Sequence, residues 1–287
     1  MPFATRKINV SFKLASGSYG SGGNSATISG LRVHAKIVSP GAANSATAEI
    51  VIYGLPLSLM NQLTTLGTQI NFSNQNTITL EAGDSVNGMF TAFSGTIVTA
   101  YADIQAQPNG ALVVNAIPGF LNAIKPTKPN SVKGTANVAN LMQQIASANG
   151  LSFEGNGVSA KVMNPYLHGS PRSQIVQLAR MAGLEFDLTE NKLAIWETSK
   201  GRSGSSTTLS SSTGMVGYPA YNQSGIIVKC EWQPALLRGR SITVQSELTP
   251  ACGSWNVYSM EVNLESETPN GAWFAVLSCY RLGGTPS

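Results

Sequence analysis

Two histidines, two small clusters of carboxylates and three cysteines are the side chains of this 287-residue chain with the types to do chemistry. A histidine acting as general base needs an orienting acid and a nucleophile within reach. One acting as a metal ligand needs Cys, Asp, Glu or a second His at ligand spacing. His34 stands between Arg32 and Lys36 on the polar side of an alternating stretch, and His168 precedes the helix start Ser170-Pro171. Neither has such partners, and the chain has no G-x-S-x-G elbow, so both read as surface or loop residues. The carboxylates form the groups Glu185, Asp187, Glu190 and Glu261, Glu265, Glu267. Glycoside hydrolysis needs two carboxylates held in different environments. Glu185 and Asp187 instead alternate along one strand, the pattern of a solvated face.

The cysteines, Cys230, Cys252 and Cys279, are odd in number and include no C-x-x-C. That argues against a disulfide scaffold or a zinc site and favours small buried apolar groups or free thiols. Gly17 to Gly23 and Gly201 to Gly204 lack the Lys-Ser/Thr of a phosphate loop and read as plain loops. Arg238-Gly239-Arg240 is a basic pair around a turn, read as solvated. A glycan-binding surface would use exposed aromatics beside polar groups. Trp232, Trp255, Trp273, Tyr218 and Tyr221 are the candidates, although strand positions usually place aromatics in a core. The expected count of catalytic, cofactor and metal sites is therefore none. A carbohydrate-binding or adhesin-like module, and less readily a cell-wall hydrolase cutting with Glu185 or Glu261, stay open as alternatives.

The elements that would position these residues are mostly strands. Ile8 to Leu14, Leu31 to Ile37, Thr47 to Tyr53, Asn76 to Ala82, Met89 to Ala100 and Gly110 to Ile117 alternate or run apolar, with turn signals at Pro40 to Asn44 and Gly83-Asp84. Gly17 to Ser25 reads as a mobile loop. One short helix, Pro56 to Leu66, carries Leu59, Leu63 and Leu66 at helical spacing before Gly67. Six strands and one helix in this span predict a barrel or sandwich. Lys125 to Asn130 holds two prolines and reads as a linker. A helix follows with Val138, Leu141, Met142, Ile145 and Ala148 on one face, capped by Asn137 or Thr135 and ended by Asn149-Gly150. A second starts at Ser170-Pro171, buries Ile175, Leu178, Ala179 and Ala182, and stops at Gly183. Leu184 to Leu188 and Leu193 to Trp196 flank Thr189 to Lys192 as a hairpin. Ser199 to Thr213, rich in Ser, Gly and Thr, reads as a flexible connector. Gly225 to Trp232, Arg240 to Ser246, Val257 to Leu264 and Trp273 to Tyr280 are the closing strands, with a break at Pro234 to Arg240 and a frayed end at Gly283 to Ser287.

Apolar residues make up 42% of the chain, enough for real cores, while charged residues are only 11%, against about 25% in ordinary soluble domains. Weak self-repulsion favours association. The formal charge of +4 is spread without a basic run, unlike a nucleic-acid footprint. No apolar run nears 18 residues and the first residues hold no apolar signal core, so synthesis in a cytoplasm, without a membrane span, is expected.

The order of these parts carries a resemblance. A strand leads through Gly54-Leu55-Pro56 into a helix at Ile50 to Leu63. An α+β module ends in the hairpin Gly183 to Leu188 and Lys192 to Trp196. The last region contains Gly225 to Val228, Leu236 to Val244, Tyr258 to Leu264 and Trp273 to Leu277. This resembles the baseplate hub proteins of contractile-tailed bacteriophages, the late control protein D group, and the hub part of type VI secretion spikes. The resemblance implies a β-rich α+β chain with two tail-tube-like antiparallel β-barrels and a small inserted α+β module. Residues 1–124 would be the first barrel, 125–198 the module, and 199–287 the connector and second barrel. It implies a non-catalytic virion protein of the tail baseplate, assembled in the host cytoplasm. As a homotrimer it would present six barrels and join the six-fold tail tube to the three-fold central spike. Its implied neighbours are the tube or tube-initiator protein, the spike, the baseplate wedge proteins and the tape measure protein. The genome would pass through its lumen without specific binding during host cell entry.

Overall fold

The computed structural model describes residues 5–15, 23–41, 44–64, 76–105, 110–119 and 123–282. They belong to two compact units. Unit 1 comprises Met1–Val38, Ala46–Pro118 and Glu261–Phe274, and unit 2 comprises Ser39–Ser45, Gly119–Met260 and Ala275–Ser287.

Unit 1 contains β1 (Arg6–Lys13), β2 (Ser25–Ile28), β3 (Val33–Ser39), β4 (Thr47–Tyr53), α1 (Leu57–Leu63), β5 (Thr77–Asp84), β6 (Gly88–Asp103) and β7 (Ala111–Ile117). The strands lie in the order β3-β4-β7-β6-β5-β1-β2, with every neighbouring pair antiparallel. Two-residue periodicity sorts each strand's side chains. Ile8, Val10 and Phe12 of β1, Val33, Ala35 and Ile37 of β3, and Ile50 and Ile52 of β4 are all buried. Arg6, His34, Lys36 and Glu49 take the other face. Each large side chain so buried contributes about 1.5–3 kcal/mol, which fixes register, because a one-residue slip would expose the whole set. Register shifts at Leu80/Glu81 and Ile97/Thr99 bend β5 and β6. Helix α1 buries Met60 and Leu63 and ends where the Thr64 N–H bonds the Met60 carbonyl. The expected stop at Leu66-Gly67 lies outside the described residues, as do most of the Gly17–Ser25 loop, part of the Pro40–Asn44 turn, and Gly283–Ser287.

Unit 2 begins with β8 (Asn130–Ser131), β9 (Thr135–Asn137), α2 (Val138–Ala148), β10 (Ser152–Glu154), β11 (Lys161–Met163), β12 (Tyr166–Leu167), α3 (Pro171–Ala182), β13 (Leu184–Leu188) and β14 (Lys192–Glu197). Val138, Met142 and Ile145 of α2 meet Ile175 and Leu178 of α3 in one core, with Leu193 and Ile195 of β14. The helix ends match their chemistry. The Asn137 side chain accepts from the Asn140 N–H, and Ser170 accepts from the Ser173 N–H with Pro171 next. Gly183 closes α3 in the left-handed region at φ 63°, where a Cβ is penalised. The hairpin β13–β14 runs in antiparallel register from Leu184↔Glu197 to Leu188↔Leu193, and β10 adds to it in parallel. The two- and three-residue ladders β8–β12 and β9–β11 complete the module.

The rest of unit 2 contains β15 (Thr207–Leu209), β16 (Ala220–Asn222), β17 (Gly225–Glu231), β18 (Ser241–Val244) and parts of β19 (Gly253–Ser266) and β20 (Trp273–Tyr280). Strand order is β16-β17-β20-β19, with β18 on β19 and β15 on β18. The segment Ser199 to Thr213, expected to be a flexible connector, is ordered into the fold. It carries β15, parallel to β18, and buries Arg202, Leu209 and Ser210. Its order comes from side-chain and ladder hydrogen bonds, which leave no apolar period to read. Strand β19 belongs to unit 2 through Met260 and to unit 1 from Glu261, and β20 changes unit after Phe274.

The architecture is β-rich α+β with three described α-helices. The pair of closed barrels expected from the sequence is not seen: among the described residues the strand order does not return on itself. Closure depends on shear and tilt, which alternation does not encode.

The caps of α3 generate a stability prediction. Ser170→Ala and Gly183→Ala should each lower unfolding free energy by about 1 kcal/mol. Urea denaturation followed by far-ultraviolet circular dichroism checks this, and unchanged midpoints would refute the capping roles.

Candidate functional site

A network of ionisable groups lies in unit 2 around Trp196, the last apolar residue of β14, which is 2% exposed. Two arginines approach its indole, Arg202 at 5.9 Å and Arg238 at 5.5 Å from the ring centroid. Arg202 follows β14 in the Gly201-Arg202 turn, where its N–H donates to the Gly239 carbonyl at 2.7 Å. Its guanidinium grips Glu154 with two parallel bonds of 2.8 Å and reaches Asp187 Oδ2 at 3.3 Å. Glu154 ends β10 and Asp187 lies on β13, so one cation gathers three elements. Arg238 donates to the Pro40 carbonyl at 2.6 Å and to the Phe186 carbonyl, with Glu185 Oε2 at 3.8 Å.

Backbone and amide contacts surround these charges. Asn156 donates to the Ile195 carbonyl at 2.9 Å and accepts from the Ser203 N–H at 2.9 Å. Asn256, fully buried, meets the Tyr280 hydroxyl at 2.8 Å. Its amide nitrogen, turned to the carbonyls of Gly239 and Arg240, reaches them at 2.6 and 3.0 Å. Gly239 has φ 83°, and a Cβ there would sit 2.6 Å from the Trp196 ring. Only glycine lets the turn lie flat on the indole.

The electrostatics follow from this geometry. The Arg202 hydrogen bonds hold the Glu154 carboxyl at about 2, against an ordinary 4.5. Arg202 itself is raised: burial pulls it down, and its bonds and attraction to Glu154 and Asp187 outweigh that. Burial raises Glu185, with Arg238 opposing. Arg202 is 4% exposed as a side chain and Glu154 27%. Buried charges at such distances are matched or the fold does not tolerate them.

Unit 1 carries a second, shallower feature. Lys36, Glu49, Asn115 and Thr99 stand in register across β3, β4, β7 and β6. Lys36 pairs with Glu261 at 3.3 Å, and His34 lies 3.8 Å from Glu265. A groove of about 440 Å³ lies over this row, lined also by Val38, Thr47, Val98 and Ile117. These pairs are largely exposed, and exposed pairs of this kind contribute about 0–1 kcal/mol.

The sequence profile described as baseplate hub gp41 matches residues 7–275. The chain belongs to this baseplate hub family. No curated protein matches the chain. Among solved structures, it is similar to the 43 kDa tail protein of prophage MuSo2 from Shewanella oneidensis, at 11% identity and TM-score 0.61, over 95% of this chain and 96% of that one. It is similar to the tail protein from Neisseria meningitidis MC58, at 11% identity and TM-score 0.58, over 97% of each chain. A third likeness is to the E. coli c3393 protein, described as a type VI secretion component structurally similar to the T4 bacteriophage tail proteins gp27 and gp5. Identity there is 10% and TM-score 0.58, over 90% of this chain and 76% of that one. At such identities the likeness establishes a shared tail-protein fold. The family read from the sequence is thus the family the profile shows, and the hub is a component of the virion tail.

Within the hub chain the sequence-derived candidates are dispersed. His34 joins the exposed row of unit 1, while His168 stacks on Tyr166 at 5.9 Å in unit 2. Glu190 accepts from the Gly119 N–H at 2.8 Å. Trp232, Trp255 and Trp273 are buried, whereas Tyr218 and Tyr221 are exposed. Cys230, Cys252 and Cys279 are free thiols; burial pushes Cys230 up to about 12 and raises Cys279. The Cys252 thiol donates to the Ser246 carbonyl at 3.0 Å. Among the described residues no three His, Cys, Asp or Glu side chains gather as metal ligands, and no helix is long and apolar enough to cross a membrane.

Two readings need correction. Glu185 and Asp187 were expected on a solvated face; both point at buried arginines instead. Arg238 was expected in solvent and is 5% exposed. The cause is common to both: the turns carrying Arg202 and Arg238 cover that face of the hairpin. Arg202 itself escaped the sequence reading. Its one signal was a lone arginine between Gly201 and a Ser/Gly run, just after an apolar strand ending in Trp196.

Arg202→Ala should destabilise the chain by about 3 kcal/mol, since it strands two carboxylates. The Glu154 contribution should be fully present above pH 4.5 and lost as pH falls through about 2, because its folded value lies below its unfolded one. Accordingly, the stability gap between the wild type and Glu154→Gln should shrink between those pH values. Denaturant titrations across that range measure it, and a pH-independent gap would refute the pairing.

Proposed function

We propose that this chain is the structural hub of a contractile phage tail, a ring-shaped homotrimer that joins the six-fold tail tube to the three-fold central spike. The observation that carries this reading is the match to the hub profile over residues 7–275, which takes in β-rich segments of both units. In this reading, residues 1–124 and 199–287 supply tube-like barrels in the assembled ring, and 125–198 is the inserted module. Six such barrels would present a tube-like rim on one face, with the spike held on the other. The tube or tube-initiator protein, the wedge proteins and the tape measure protein are its further neighbours. The genome passes the lumen during host cell entry, unread by the protein.

The chain acts by shape, without catalysis. Supporting this, the strongly perturbed carboxylate of Glu154 is locked in two charge-assisted bonds with Arg202 and is thereby unsuited to proton transfer. The low fraction of charged residues, 11%, suits a surface covered by neighbours.

The expected mass in solution at high protein concentration is about 90 kDa, three times the 30.1 kDa chain. Sedimentation velocity measures it, and imaging of the baseplate axis in the virion should show three copies in a ring. A monomer at all concentrations, with no three-copy ring at that axis, would overturn the proposal.

A further inference from the structure

Each unit ends in an open sheet edge. In unit 1 the edge strand is β2, Ser25-Ala26-Thr27-Ile28, which pairs only with β1 among the described residues. In unit 2 it is β16, Ala220-Tyr221-Asn222, which pairs only with β17. All three β16 residues are exposed, Tyr221 at 56%. In β2, Ser25 and Thr27 are exposed and the other two half-buried.

Proteins that stay monomeric guard such edges by keeping them short, or with lysine, proline, a bulge or an inward charge; these strands are short, four and three residues, and rely on shortness alone. Neither strand carries a charge or proline within it: they are Ser-Ala-Thr-Ile and Ala-Tyr-Asn. An edge without charge or proline presents backbone N–H and C=O groups able to accept another strand.

The charges of the two units select which edges can meet. Unit 1 carries five basic and seven acidic side chains, net −2; unit 2 carries thirteen and seven, net +6. A two-fold contact between identical units would bring like charge to like charge, most severely for unit 2. A head-to-tail contact brings unit 2 of one copy to unit 1 of the next, with opposite sign. The occupant that fits both edges is therefore a second copy of this chain.

We propose that the Ala220–Asn222 edge of one copy pairs with the Ser25–Ile28 edge of the next, a heterologous contact that repeats from copy to copy. It rests on the ring proposed above and names the strands that would close it. Because the two edges differ, the contact propagates in one direction only, which a ring requires and an isologous dimer does not.

The test uses variants of the full chain with one added cysteine in a Cys252→Ser background, since Cys230 and Cys279 are buried. Ser25→Cys and Ala220→Cys are prepared separately, mixed, and treated with a short bismaleimide. The mixture should yield cross-linked dimer about tenfold above either variant alone, as a heterologous contact demands. Ala220→Lys, which places a guard charge on the edge, should weaken association about tenfold while leaving the far-ultraviolet circular dichroism spectrum unchanged. Strong cross-linking of either variant with itself would overturn the proposal. So would a trimer by sedimentation that shows no mixed cross-link and tolerates Ala220→Lys; the ring would then stand without this contact. A chain monomeric at all concentrations would remove both.

Discussion

A buried guanidinium sets the terms for unit 2. Arg202 lies almost wholly out of water, and a charge so placed needs partners of opposite sign at hydrogen-bond distance. That requirement dictates where Glu154 and Asp187 point, and through them how β10 and β13 are held. It also brings the Gly201-Arg202 turn onto the Gly239 carbonyl and so onto the Trp196 ring. Arg238 makes a second such approach to the ring, with the carbonyls of Pro40 and Phe186 as acceptors. Apolar residues in the same space could give equal stability. What the charged version adds is exactness of direction, since a two-pronged arginine bond fixes orientation as well as distance.

Much of the β framework was legible because burial on one side of a strand leaves a period of two. Ile8, Val10 and Phe12, or Ile50 and Ile52, announce their strands. The helices of unit 2 were legible at their ends because Asn137, Ser170-Pro171 and Gly183 each answer a definite backbone need. What escaped had no period. The ladders β8–β12 and β9–β11 are two or three residues long, too short to alternate. Strand β15 sits in a Ser/Thr run held by hydrogen bonds. Arg202 looked like a loop residue because its partners, Glu154 and Asp187, are 48 and 15 residues away. The outward assignment of Glu185 and Asp187 failed for a related reason: a face is solvated only if nothing distant covers it.

The polar cluster and the family assignment point the same way. Catalytic carboxylates are usually left with freedom to gain or lose a proton near working pH. Here Glu154 is driven to about 2 by a paired arginine, a value that serves attachment and not proton exchange. The aromatic residues divide similarly: the tryptophans Trp232, Trp255 and Trp273 fill cores, leaving tyrosines Tyr218 and Tyr221 outside. Ionisable groups engaged in holding elements in place fit a structural component of a phage tail.

One feature of the chain path bears on how the protein is made. Strands β19 and β20 each pass from one unit into the other, so Glu261–Phe274 supplies unit 1 although Gly119–Met260 lies between. Unit 1 cannot therefore be completed on the ribosome once residue 118 has emerged. It must wait until the whole of Gly119–Met260 has been synthesised and Glu261–Phe274 has followed. Such long sequence separation slows folding, because chain closure precedes the contacts that reward it. It also prolongs exposure of sticky edges. A nascent chain of this design has reason to gather its final strands before it meets another copy, which places folding ahead of assembly in time.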